Sequence, residues 1–150
     1  MSARSAAAPA AHTDAARLAD ALSRVNRSLR REVQLPLGAS TLQALAALHD
    51  QGRMRLGDLA RHEGVAPATL SRIVALLEEE GLARRTADDA DRRSSFLEIT
   101  PQGSRIVADV RAARGRALAA RLEQLDEAHR SRLLAALGAL ELLAEPPPQS

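Results

Sequence analysis

The chain has 150 residues and no cysteine, so disulfides, thiolate metal sites and a cysteine redox switch are excluded. Phe96 is its one aromatic residue. That argues against RNA-recognition sheets and single-strand-binding barrels, which stack bases on aromatic rings. The pI of about 10.7 suggests a strongly basic protein, yet the formal net charge is only +2. With no Lys, Tyr or Cys, few groups titrate between neutrality and the arginine range, and the high pI reports that gap.

In chain order, the Ala-rich run Ser2–Ala11 lacks a strong apolar segment and reads as a tail, not as a secretory signal. No stretch approaches the roughly 18 consecutive apolar residues of a membrane span, so a cytoplasmic location is expected. The first helix is predicted over about 14–33, with Leu18, Leu22, Val25 and Leu29 at helical spacing and Thr13 or Asp14 as its cap. Pro36 and Gly38 break it. A second helix over about 40–50 turns Leu42, Leu45 and Leu48 inward.

Next comes a short helix over about 56–62, ended by Gly64, and Pro67 opens a helix running to about Glu80. Leu70, Ile73, Val74 and Leu77 give that helix an i, i+3, i+4, i+7 stripe, and Gly81 stops it. Two helices joined by a tight glycine-containing turn form a helix-turn-helix pattern. The periodicity then changes. Residues 82–86 and 95–100 read as strands around a charged loop, 87–94, which makes a hairpin with a long tip, or wing. A long helix follows over about 102–122, with Ile106, Val110, Ala113 and Ala117 on one face. A last helix over about 126–143 turns Leu133, Leu134, Leu137 and Leu140 inward. The fold class is mainly α with a small β-hairpin wing, a winged helix-turn-helix plus a helical dimerisation region.

Three stretches carry a resemblance to a known family. They are Leu59 to Val74 (LARHEGVAPATLSRIV), Leu77 to Arg85 (LEEEGLARR) and Asp88 to Gly103 (DDADRRSSFLEITPQG). The third is the most specific, an Asp-Arg-Arg wing leading into Leu-x-Ile-Thr-x-x-Gly. Together they resemble the multiple-antibiotic-resistance regulator (MarR) family over roughly residues 14–144. The resemblance implies a sequence-specific DNA-binding transcription regulator, a repressor acting as a homodimer on a near-palindromic double-stranded operator. Residues 1–12 and 145–150 are then expected as disordered tails around one domain, 13–144. Within it, helices over about 13–34 and 102–144 dimerise, and a lobe over about 38–100 binds DNA. Arg55, and Gly38 in the same way, stand where the family has a Thr or Ser cap, so those helix starts should be less secure.

The candidate DNA contacts follow. Pro67, Ala68, Thr69, Ser71 and Arg72 occupy the outward face of the first turns of the reading helix, suited to a major groove. At the wing, the family's pattern implies that Arg93 enters the minor groove and Asp91 orients it, with Arg92 beside them; a narrow minor groove concentrates negative potential and draws in guanidinium. Arg84 and Arg85 are candidate phosphate contacts, against the plain alternative of solvated strand residues. Glu78, Glu79 and Glu80 sit at the far end of the reading helix, poorly placed for its dipole. Net charge gives no help, because residues 35–100 hold 8 Arg against 10 acids. The competing reading is a winged-helix module that binds a protein partner and not DNA. No nucleophile motif, phosphate loop or carboxylate pair supports an enzyme, and no cofactor is implied. His12, His49, His62 and His129 are scattered, away from metal-ligand spacing. The resemblance also implies release by a small-molecule effector, in many members an aromatic acid or phenol. With one Phe and no Tyr or Trp, such a pocket is expected here to be aliphatic.

Overall fold

The computed structural model describes residues 8–33, 36–87 and 95–145. The wing tip, with Asp91, Arg92 and Arg93, lies outside the described residues. The elements run α1 (Ala8–Glu32), α2 (Ala39–Gln51), β1 (Met54–Arg55), α3 (Leu56–Glu63), α4 (Pro67–Glu79), β2 (Ala83–Ala87), β3 (Ser95–Ile99), α5 (Pro101–Glu123), α6 (Glu127–Ala135) and α7 (Leu137–Ala144). The chain divides into two units, residues 1–114 and 115–150.

The first unit holds the core. Leu45 and Leu48 of α2, Leu59 of α3, Leu70, Val74 and Leu77 of α4, Leu97 of β3 and Val107 of α5 are all almost fully buried. Truncating any one of these leucines to Ala should cost about 2–5 kcal/mol, the transfer loss plus the cavity left behind. The α4 stripe predicted from spacing is the buried stripe: Leu70, Ile73, Val74 and Leu77. The three-stranded antiparallel sheet has the order β1-β3-β2. Leu97 pairs with Met54 on one side and with Arg85 on the other, and Phe96 with Arg55 and with Thr86. Side chains alternate across a strand, so buried Leu97 fixes one face to the core and Phe96, Arg55 and Thr86 share the outer face.

Two helix ends use the same device. After α3, Gly64 takes φ +64° and donates to the Arg61 carbonyl while Val65 donates to Ala60. After α4, Gly81 takes φ +67°, donates to the Glu78 carbonyl, and Leu82 donates to Leu77 at 2.8 Å. These paired bonds satisfy carbonyls that the helix end would leave orphaned, and only glycine adopts the left-handed backbone without strain.

The Leu-x-Ile-Thr-x-x-Gly run has a physical reason. The Thr100 hydroxyl donates to the Gly81 carbonyl oxygen at 2.8 Å and lies 3.2 Å from that of Leu82, which accepts the Thr100 backbone N–H at 2.9 Å. The hydroxyl oxygen accepts the Gly103 N–H at 3.1 Å, which caps the start of α5. Gly103 is itself buried, and a Cβ there would lie 2.3 Å from the Leu82 carbonyl oxygen and 2.9 Å from Ile99 Cγ1. The end of α4, the start of β2 and the start of α5 thus meet at one three-way junction.

Several expectations are corrected. Helix α1 begins at Ala8, inside the expected tail, as an alanine-rich run with high helix propensity allows. Thr13 and Asp14 are therefore interior, not caps. The predicted face of α5 is the inner one, with Val110 buried and Ile106, Ala113 and Ala117 half-buried, but Gly103 and Val107, which were not predicted, are buried beside it. The last helix is two, broken at Ala136, whose N–H is shared between the Arg132 and Leu133 carbonyls beside the poor helix former Gly138. In the second unit Leu133, Leu134 and Leu137 are exposed and not inward, since nothing in either α6 or α7 is buried within one chain. Strand β1 is unanticipated. As expected, neither Gly38 nor Arg55 gives its helix a side-chain cap.

Helix α6 does have one. Asp126 accepts the His129 N–H at 2.8 Å and its carboxylate also contacts the His129 ring Nδ1 at 2.6 Å. The backbone bond, then the ring contact, hold the Asp126 carboxyl below its ordinary value. A depressed carboxylate stabilises the fold above its unfolded pKa, and that contribution disappears as pH falls through the folded value, in the acid range.

Candidate nucleic-acid interface

The helix-turn-helix is built by α3, the Gly64 turn and α4. Because the α4 stripe is committed to the core, its opposite face is left to solvent: Pro67, Ala68, Thr69, Ser71 and Arg72 are all exposed. These five lie together on the first two turns, as the spacing predicts. Ala66 precedes the helix without a side-chain cap and Pro67 has no N–H, so no side chain occupies the electropositive end of α4. The Ser71 hydroxyl donates back to the Pro67 carbonyl at 3.0 Å, leaving its oxygen outward as an acceptor.

The two strand arginines are engaged. Arg84 reaches Glu98 across the β2–β3 pair at 3.2 Å, and Arg85 reaches Glu78 at 3.1 Å. The second contact gives Glu78 a role: Arg85 faces the core side of the sheet opposite Leu97, and the Gly81 turn brings the end of α4 under it. Nothing in the structure explains Glu79 and Glu80. Arg85 binds Glu78 through Nε alone, so its terminal nitrogens remain outside that contact. Both pairs are partly solvent-exposed and so contribute little to stability.

One cluster escaped the sequence reading. The Arg53 guanidinium carbon sits 4.5 Å from the Phe96 ring centroid, and that of Arg55 sits 5.2 Å away. The signal was the alternation Arg53-Met54-Arg55, a period of two that marks a strand too short to notice. A cleft of about 270 Å³ lies among α1, α2 and the first part of α5, lined by Asn26, Arg30, Gln43 and Arg114 beside Leu42 and Ala46. Arg114 Nε is buried, with no hydrogen-bond partner among the described residues. No group of three or more metal-ligating side chains occurs among the described residues, and no described helix is long and apolar enough to cross a membrane.

A helix-turn-helix with an open reading face, backed by a three-stranded sheet and its wing hairpin, is the architecture of a winged-helix transcription regulator. The MarR family model matches residues 38–95. An HTH-type transcriptional regulator of Mycobacterium bovis is 34% identical over 138 residues, covering 89% of this chain and 96% of the relative. An HTH-type transcriptional repressor of Mycobacterium tuberculosis, Rv2887, is 34% identical over 131 residues, covering 84% of this chain and 86% of the relative. Among solved structures, a transcriptional regulator protein of Pseudomonas aeruginosa superposes with a TM-score of 0.79 at 31% identity, covering 89% of this chain and 95% of that one. The chain belongs to the MarR family of transcriptional regulators.

Proposed function

We propose that the protein is a homodimeric repressor that binds double-stranded DNA, with the first turns of α4 in the major groove and the wing arginine Arg93 in the adjacent minor groove. The observation that carries this reading is the α4 surface. A helix whose apolar face is fully committed leaves short, exposed Ala68, Thr69 and Ser71 beside the long donor Arg72, at an uncapped helix start. Small residues admit the backbone to a groove, Arg72 reaches a base edge or a phosphate, and the free helix end favours a phosphate oxygen. Arg84 and Arg85 serve as phosphate contacts that exchange a carboxylate for a phosphate on binding. Asp91 orients Arg93, with Arg92 beside it. The resemblance to a named repressor supports the direction of regulation.

Release by a small-molecule effector belongs to the same reading. The cleft at Arg30 and Arg114 offers two guanidinium groups over an aliphatic wall, with one buried N–H donor unpaired. A buried donor without a partner is costly, and a small carboxylate would satisfy it.

The test is a gel-shift of the full chain on the DNA upstream of its own gene, beside the Arg93→Ala variant. Wild type should shift the fragment, and Arg93→Ala should bind about 1–3 kcal/mol more weakly with an unchanged melting temperature, because a loop-tip side chain carries little packing. A wild type that shifts no duplex at low salt would favour the protein-binding module. An Arg93→Ala protein that binds as well as wild type would remove the minor-groove role.

A further inference from the structure

The lobe that holds the reading helix is acidic, with 8 Arg against 10 acids over residues 35–100, an unexpected balance for a surface that meets a polyanion. The acids are placed on the arginines. Arg61 pairs with Asp58, Arg84 with Glu98 and Arg85 with Glu78, while Arg53 and Arg55 lie over the Phe96 ring. Among the described arginines of residues 36–100, Arg72 alone enters no ion pair, hydrogen bond or ring contact. Arg72 stands exposed on the outward face of α4. The one unengaged guanidinium is thus the one on the reading helix, and both strand guanidiniums are held by carboxylates. Glu78 and Glu98 are half-buried, whereas the arginines they hold and the neighbouring Glu79 and Glu80 are exposed.

We propose that Glu78 and Glu98 are specificity-determining residues, which keep Arg85 and Arg84 from phosphates until α4 is seated on its own sequence. This rests on the DNA-binding reading above, in which the two arginines end on phosphates. On random DNA the chain has backbone contacts only and no fixed register. A passing phosphate must then compete with a carboxylate already 3.1 or 3.2 Å from the guanidinium. On the operator, contacts by α4 fix the register and hold the phosphates in place. Exposed ion pairs are weak, so a positioned phosphate displaces the carboxylate at little cost. Non-specific binding is almost wholly electrostatic, and withholding two arginines weakens it most. Specificity is gained by weakening the wrong complex, not by adding a contact to the right one.

The test measures the affinity of the full chain for two duplexes of equal length, the region upstream of its own gene and a random sequence, across a salt series. Each phosphate neutralised contributes about 0.9 to the slope of log affinity against log salt. Glu78→Gln with Glu98→Gln releases both arginines. On random DNA it should steepen the slope by roughly 1.8, two phosphates' worth, and raise affinity about tenfold at moderate salt. The upstream duplex should gain less than about 3-fold with its slope unchanged, since its phosphates already hold the arginines. Glu79→Gln with Glu80→Gln removes the same charge from two carboxylates that hold no arginine among the described residues, and should leave the ratio of the two affinities as in wild type. Melting curves check that each variant is folded. Glu78→Gln and Glu98→Gln alone, each expected to give about half the slope change, keep the test open should the double variant unfold. An unaltered slope on random DNA overturns the proposal while leaving DNA binding intact. Equal gains on both duplexes, or the same fall in ratio from Glu79→Gln with Glu80→Gln, overturn it in favour of net charge alone. A wild type that binds neither duplex, or both alike, overturns the sequence-specific DNA reading and this proposal together.

Discussion

Thr100 shows how much one side chain can be asked to do. A single hydroxyl closes the end of α4 onto β2 and caps α5, while Gly103 makes room for that approach. Replacing Thr100 by Val keeps the shape and removes every hydroxyl bond while leaving its backbone N–H on the Leu82 carbonyl. The expected loss is about 1–2 kcal/mol, the usual cost of a lost cap plus the lost bond to the Gly81 carbonyl. Gly103→Ala should cost more, about 3 kcal/mol, because its Cβ would meet the Leu82 backbone oxygen and not a movable side chain. Denaturant unfolding followed by circular dichroism measures both, and a Thr100→Val protein as stable as wild type would show that the junction is held by packing alone. The Thr and Gly stood out in the sequence as parts of a pattern, but not for what they do. Thr100 bonds to residues 18 and 19 positions earlier, and no local rule reaches that far. Glu78 was illegible for the same reason. Its partner Arg85 is seven residues on, at a distance no helix pairs, and only the Gly81 turn brings them together.

Elements were far easier to read than their partners. The α4 stripe, both glycine-ended helices and the hairpin follow from spacing, propensity and turn chemistry, which act within a few residues. Strand β1 does not, because two residues carry no period and its existence depends on β3 pairing beside it. The face of α5 was read incompletely because an aliphatic spacing rule gave no weight to Gly103, and the last helix was misread because every residue around Ala136 except Gly138 favours continuing. The reading face of α4 was legible by subtraction: once the stripe is assigned inward, Ser71 and Arg72 have nowhere to go but out. Arg72→Ala should therefore weaken binding to the upstream duplex more than to random DNA, by about 1–3 kcal/mol, if a base edge is its target. Competition binding with both duplexes measures this, and equal weakening would make Arg72 a phosphate contact.

At the scale of the whole molecule the exposed leucines set the problem. Leu18 and Leu22 of α1 are 43% and 49% exposed, Leu134 of α6 is 54% exposed, and Leu142 of α7 is 70% exposed. Apolar surface repeated on this scale is a liability in a monomer and the ordinary core of a dimer interface. In the proposed dimer, two-fold pairing would fix the spacing of half-sites about one helical turn apart, so a charged substitution, Leu137→Arg, should abolish dimer and operator binding together. Sedimentation at micromolar concentration beside a gel-shift on the same sample measures both, and a wild-type monomer that binds tightly would overturn the dimer model. The three-way junction at Thr100 has a mechanical side as well. The exit of α4 and the first turn of α5 are bonded through the Thr100 hydroxyl and backbone N–H and approach closely at Gly103. A torque on the start of α5 is therefore expected to reach the end of α4 through this junction.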